Sequence, residues 1–184
     1  MDSRSRERAA LLAFFLPLTR RTCEELAVGD QTVSAYVADV LVEFARSDLL
    51  YRIRAPAGRR LTSVVEMLSI ERVLPDWEAE RALRRYLGDY TLFMSGLFRP
   101  FVEREGYLGW YLSEGARAYS LVAKLRGGTR RDRMLYEELS VRFEHYSGAL
   151  DYLRKVRFPG LAGRDPIGAF LHEIADVVGH PSLN

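Results

Sequence analysis

The sequence predicts an all-α fold, a single-domain bundle of about six or seven helices. Apolar residues recur at the three- and four-residue spacing of a helix face in nearly every segment, for example at Val33, Tyr36, Val37, Val40, Leu41 and Phe44. Capping residues and helix breakers separate those segments, and no pair of alternating strands is evident. At 184 residues the chain is long enough to bury a sizeable core.

Caps and breakers give each helix its expected bounds. Asp30, Asp76 and Thr129 stand where N-caps are expected, and Pro166 stands in the first turn of the last helix. The segment 51–62, which contains a proline and a glycine, is the clearest break. The expected helices therefore cover an N-terminal stretch around 9–18 and then 31–47, 63–74, 77–98, 107–126, 130–156 and 166–179.

The N-terminal segment 1–22 is predicted to form an arm or an interface helix of the single domain 1–184. Its apolar run, Ala9 to Leu18, follows basic residues as in a signal peptide, but Pro17 interrupts the run and Arg20 stands where a cleavage site would be needed. The run is also too short to span a bilayer. Since it is apolar nearly all round, we expect it to be buried, under the rest of the chain or under a partner chain.

Composition argues against several classes of function. Lys and Arg exceed Asp and Glu by only 2, so a nucleic-acid partner is not expected. The basic stretches 54–60 and 126–133 could contact phosphates, but no nucleic-acid fold signature surrounds them. One cysteine, Cys23, leaves no intrachain disulfide and favours the cytoplasm. No cofactor is predicted, because the phosphate-loop, nucleophile-elbow and paired-cysteine motifs are missing from the sequence.

Three charged residues lie at or near predicted buried helix faces. Asp89 and Glu114 lie at the margins of two apolar stripes, and Arg142 lies inside a third. Because an unpaired buried charge is costly, we expect Arg142 to bridge Asp89, Glu114 or both, with Tyr86 and Tyr146 completing the network. The same five residues could instead line a pocket for a small polar ligand. Glycines 88, 96, 109 and 115 would let the helix backbones approach closely.

The C-terminal stretch FLHEIADVVGH contains the only spacing that suggests a metal site. His172, Asp176 and His180 recur every four residues, a spacing that can present ligands on one helix face. The stretch partly resembles the zinc-protease pattern H-E-x-x-H, with Asp176 where the second histidine belongs. The three side chains lie opposite the apolar stripe, so a solvated polar face is the expectation and no metal site is predicted.

The sequence predicts a non-catalytic helical interaction module, an adaptor or a homo-oligomer that binds a protein partner or itself. Its support is the surplus of apolar helix, including Trp77, Leu92 and Trp110 away from the main stripes. The alternative is a ligand-binding or enzymatic bundle whose pocket lies around Asp89, Glu114 and Arg142.

Overall fold

The structure is a computed structural model that describes residues 3–46 and 76–179. These residues form eight α-helices and one 3-10 turn, so the predicted all-α class is confirmed. The helices are α1 (Ser3–Glu25), α2 (Gln31–Arg46), α3 (Trp77–Leu97), α4 (Arg99–Arg104), α5 (Leu108–Lys124), α6 (Arg130–Val141), α7 (Phe143–Arg157) and α8 (Pro166–Gly179), with the 3-10 turn at Pro159–Ala162. The predicted break at 51–62 and helix at 63–74 lie outside the described residues.

The predicted caps hold three helix starts. Asp30 Oδ1 accepts the backbone N–H groups of Thr32 and Val33, and Asp76 Oδ1 accepts that of Ala79. Thr129 forms a capping box at the start of α6, in which its hydroxyl and backbone bond with Asp132. These side chains satisfy amide groups that no helical carbonyl can reach, and so they set where α2, α3 and α6 begin.

One predicted helix, 130–156, is two helices. Arg142 has φ −112° and ψ 25°, outside the helical region, and it separates α6 from α7. The change of direction lets α6 pack against α5 while α7 packs against α3 and α1. A continuous apolar stripe does not reveal such a break, because the hydrophobic spacing resumes on the other side of it.

The core is built around α3, and it includes side chains of both the first helix, α1, and the last, α8. α3 packs between α5 and α7, and α1 packs against α2, α7 and α8. Phe15 of α1 stacks on Phe170 of α8 with ring centroids 6.5 Å apart, and Phe93 of α3 meets the same ring edge-on. Leu11 and Phe15 have no exposed surface. The apolar face of α1 is therefore buried by its own chain, and a further role as an interface helix stays a prediction.

None of the helices in the described ranges is long and apolar enough to cross a membrane. Two details of the helices differ from the sequence-based expectation. α1 covers Ser3–Glu25 with Pro17 inside it, and so it is longer than the expected stretch around 9–18. Leu92, expected off the main stripe, is fully buried, and Trp110 packs partly buried against the core. α3 is enclosed on more sides than one stripe implies, because α2, α5 and α7 all contact it.

Candidate functional site

Asp89 is held by tyrosines from two other helices. The Tyr36 hydroxyl of α2 and the Tyr119 hydroxyl of α5 both donate to Asp89 Oδ1, at 2.5 and 2.7 Å. Tyr136 of α6 completes a tyrosine cluster (Tyr36, Tyr119 and Tyr136), its ring centroid lying 5.6 Å from that of Tyr36. The Asp89 side chain is 14% exposed, and Arg85 Nε lies 4.0 Å from its other oxygen. One carboxylate thus joins α2, α3 and α5.

Burial shifts the pKa values of this cluster. Loss of solvation raises the pKa of Asp89 to about 6, although the hydrogen bonds from Tyr36 and Tyr119 and the charge of Arg85 favour the ionised form. Burial also raises the pKa values of Tyr36 and Tyr119 well above their ordinary value, so both hydroxyls stay protonated and can donate. At neutral pH the cluster therefore holds an ionised carboxylate under two neutral donors.

The raised pKa of Asp89 predicts a pH-dependent stability. The folded pKa of about 6 exceeds the ordinary aspartate value of 3.8, so the folded state binds more protons between these values. The contribution of Asp89 to the free energy of unfolding therefore falls as pH rises from about 4 to about 7, by up to roughly 3 kcal/mol. We expect the free energy of unfolding of wild type to fall relative to that of Asp89→Asn as the pH rises from about 4 to about 7. Urea unfolding of both proteins at several pH values measures this difference. A difference between the two proteins that stays constant with pH would contradict the assignment.

Arg142 does not bridge Asp89 and Glu114, contrary to the expected network. Its side chain is 49% exposed, and its Nε lies 3.7 Å from Oε1 of Glu138 in α6. Glu114 binds Arg117 one turn away, at 2.9 Å. The helix break at Arg142 explains the difference, because it removes this residue from the buried stripe that a continuous helix would have formed.

The other two predicted residues lie apart from each other. Tyr86 stacks on Tyr90 at 6.4 Å between ring centroids and lies beside Phe44, within the aromatic core. Tyr146 is buried, and its hydroxyl donates to Glu138 Oε1 at 2.7 Å. Asp89 and Tyr86 thus share one region, Arg142 and Tyr146 share another through Glu138, and Glu114 belongs to neither.

A buried ion pair that the sequence analysis missed lies on α7. Asp151 Oδ1 accepts two hydrogen bonds from the Arg154 guanidinium, at 2.9 and 2.8 Å, and Lys155 Nζ lies 2.7 Å from Oδ2. Burial raises the pKa of Asp151, but the bonds from Lys155 and Arg154 outweigh it and the pKa is lowered. The three-residue spacing DYLR was the available signal. Because its partners satisfy the pair, it is a structural feature of α7.

An open cleft lies between the α1–α2 loop and α6. It has a volume of about 720 Å³, within the range of small-molecule sites. We call it the arginine cleft, and its lining residues are Ala27, Gly29, Asp30, Thr32, Val33, Arg130, Arg131, Met134, Leu135, Glu138 and Arg142. The loop side is shaped by positive φ angles at Ala27 and Gly29, 51° and 69°. Tyr146 lies directly behind Gly29, where an added Cβ would be 3.0 Å from its hydroxyl.

The charges of the arginine cleft are unevenly compensated. Glu138 pairs with Arg142, and Asp30 caps α2 by accepting two backbone N–H groups. Arg131 donates to the Thr32 hydroxyl at 3.3 Å, and within the described ranges neither Arg130 nor Arg131 forms an ion pair. Two guanidinium groups at one end of the cleft are thus available for an anion.

Sequence reasoning found only part of this cleft. The basic stretch 126–133 pointed to phosphate contacts, and it supplies Arg130 and Arg131. The facing loop carried no motif, because its contribution is a backbone turn that only the fold brings opposite α6. The second basic stretch, 54–60, lies outside the described residues.

The weak metal candidates do not assemble into a site within the described ranges. His172 Nε2 lies 3.8 Å from Asp176 Oδ2, and both side chains are largely exposed. His180 lies outside the described residues. No group of three or more metal-binding side chains occurs in residues 3–46 and 76–179.

Comparisons with known proteins give no family. No protein-family model, no curated protein and no solved structure matches this chain significantly. Any functional assignment therefore depends on the geometry of the chain itself.

Proposed function

We propose that this chain is a non-catalytic binding module that takes an anionic ligand in the arginine cleft. The observation that carries the proposal is the pair Arg130 and Arg131, which line a cleft of about 720 Å³ and form no ion pair with another described residue. Guanidinium groups bind phosphate and carboxylate oxygens through paired, charge-assisted hydrogen bonds. This replaces the pocket predicted around Asp89, Glu114 and Arg142, of which only Arg142 lines the cleft.

The side chains of the cleft support binding rather than catalysis. The described lining contains no histidine, lysine, tyrosine or cysteine, so its carboxyl groups are the candidates for a general acid or base, and they would have to be free to exchange a proton with a substrate. Asp30 Oδ1 is occupied by two backbone amides, and Glu138 accepts from Tyr146 and pairs with Arg142. Both carboxylates of the cleft therefore have structural partners.

Backbone amides contribute little to anion binding in this proposal. α2 and α6 both begin beside the cleft, and helix starts attract anions. Of their first-turn N–H groups, those of Thr32 and Val33 already donate to Asp30, and that of Asp132 donates to the Thr129 hydroxyl. The arginine side chains are thus the groups that would hold the ligand.

Replacing Arg131 tests this function. We expect pyrophosphate to bind wild type in isothermal titration calorimetry, and Arg131→Gln to weaken binding about tenfold to a hundredfold, the value of a charge-assisted hydrogen bond. Arg133→Gln is the matched control, since Arg133 is an exposed arginine of the same helix outside the cleft lining. Equal losses in the two variants, or no binding to wild type, would contradict the proposal.

A second candidate is the interaction module, in the cytoplasm, that binds a protein partner or itself. The observation that favours it is exposed apolar surface on α7, where Tyr152 and Val156 lie one turn apart and are 36% and 68% exposed. Leu26 is exposed as well, and the Tyr152 hydroxyl bonds Glu25 of the adjoining α1. Native mass spectrometry separates the candidates, because self-association would give a multiple of the 21.1 kDa chain mass.

A further inference from the structure

The arginine cleft has an apolar strip next to Arg130 and Arg131. Val33 from α2 and Met134 and Leu135 from α6 line the cleft together with Arg130 and Arg131. Met134 is 59% exposed and lies next to Leu135 in the lining, so the strip offers apolar surface that a ligand can cover. The strip and the cations are part of one surface, so one ligand can contact both.

The order of residues along α6 sets the shape of that ligand. At 1.5 Å per residue, Met134 lies about 5 Å along the helix axis from Arg131, and Glu138 lies about 10 Å from it. The cleft therefore presents cations first, then apolar side chains, and then a carboxylate paired with Arg142. At the far end Arg142 is already paired with Glu138, so this end has no unpaired cation within the described residues for a second anionic group.

We infer, on the basis of the proposed function, that the ligand is a small organic anion with one phosphate or carboxylate headgroup on a short apolar chain. The headgroup binds Arg130 and Arg131, and the chain covers Met134 and Leu135. A nucleotide fits the cleft poorly, because none of the described lining residues is aromatic and a base would have no ring on which to stack.

A series of alkyl phosphates tests the inference. Methyl through hexyl phosphate are titrated into the full chain by calorimetry, with the matching alkanoates as a second series. Burial of each methylene is expected to increase affinity about two- to fourfold until the chain covers the strip. The series that binds more tightly at equal chain length identifies the headgroup.

Two variants locate the effect. Met134→Gln is expected to flatten the dependence on chain length, and Val141→Gln is the control, an 82% exposed apolar residue of α6 outside the cleft lining. Circular dichroism checks that both variants fold. If methyl and hexyl phosphate bind wild type equally through Arg131, the inference is wrong and the proposed function stands. If Arg131→Gln weakens neither, both are wrong.

Discussion

Asp89→Leu is expected to be less stable than Asp89→Asn by roughly 2–4 kcal/mol. Both substitutions remove the charge, so the comparison isolates the acceptor of the hydroxyl groups of Tyr36 and Tyr119. An asparagine Oδ1 can still accept both bonds, whereas leucine leaves two donors without their acceptor, one of them on the fully buried Tyr119. The free energy of unfolding in urea at neutral pH measures the difference.

The same pair of variants decides between a structural and a functional role for the tyrosine cluster. If Asp89 holds α2, α3 and α5 in register, Asp89→Asn keeps the fold and any anion binding in the arginine cleft. Equal stability of the leucine and asparagine variants would contradict this structural interpretation, because the tyrosine hydroxyls would then not depend on Asp89.

Gly115→Ala is expected to destabilise the protein by about 1–3 kcal/mol through overpacking. Gly115 of α5 faces α3 and the start of α7, and a Cβ there would overlap the Phe143 ring and lie 2.5 Å from Thr91 Oγ1. Thr91 cannot give way freely, because its hydroxyl is bonded to the backbone carbonyls of Leu87 and Gly88. Thermal unfolding followed by circular dichroism measures the loss.

Gly109→Ala is the control for this prediction. Gly109 lies in the first turn of the same helix, but no atom lies within 4 Å of a Cβ built there. Alanine should therefore be neutral or stabilising by up to about 1 kcal/mol, through its better helix propensity. We expected the glycines at 88, 96, 109 and 115 to allow close helix contact, and Gly109 does not do so. A cost at Gly109 as large as at Gly115 would show that close packing is not the cause.

Local sequence signals predicted most of the described fold. Helical spacing located the long helices of the described ranges but not the short α4, and the caps Asp30, Asp76 and Thr129 set three helix starts. The errors came from tertiary contacts. The break at Arg142 and the burial of Leu92 depend on which helices meet there, and one helix's periodicity does not contain that information.

The candidate site was less predictable because its parts are distant in sequence. Asp89 was recognised as an unusual carboxylate, but its partner Tyr36 is 53 residues away and looked like an ordinary stripe residue. Arg131 contacts Thr32 across 99 residues. A charged residue at the margin of a buried helix face needs a hydrogen-bonding or oppositely charged partner. A helical wheel does not show which residue of another helix is that partner.

The most direct test of anion binding in the arginine cleft is an NMR titration of the ¹⁵N-labelled chain with butyl phosphate. The account predicts chemical-shift changes that saturate and are concentrated at the backbone amides of Gly29, Thr32, Arg130, Arg131 and Met134. Shift changes centred on the tyrosine cluster around Asp89, or none that saturate, would contradict it.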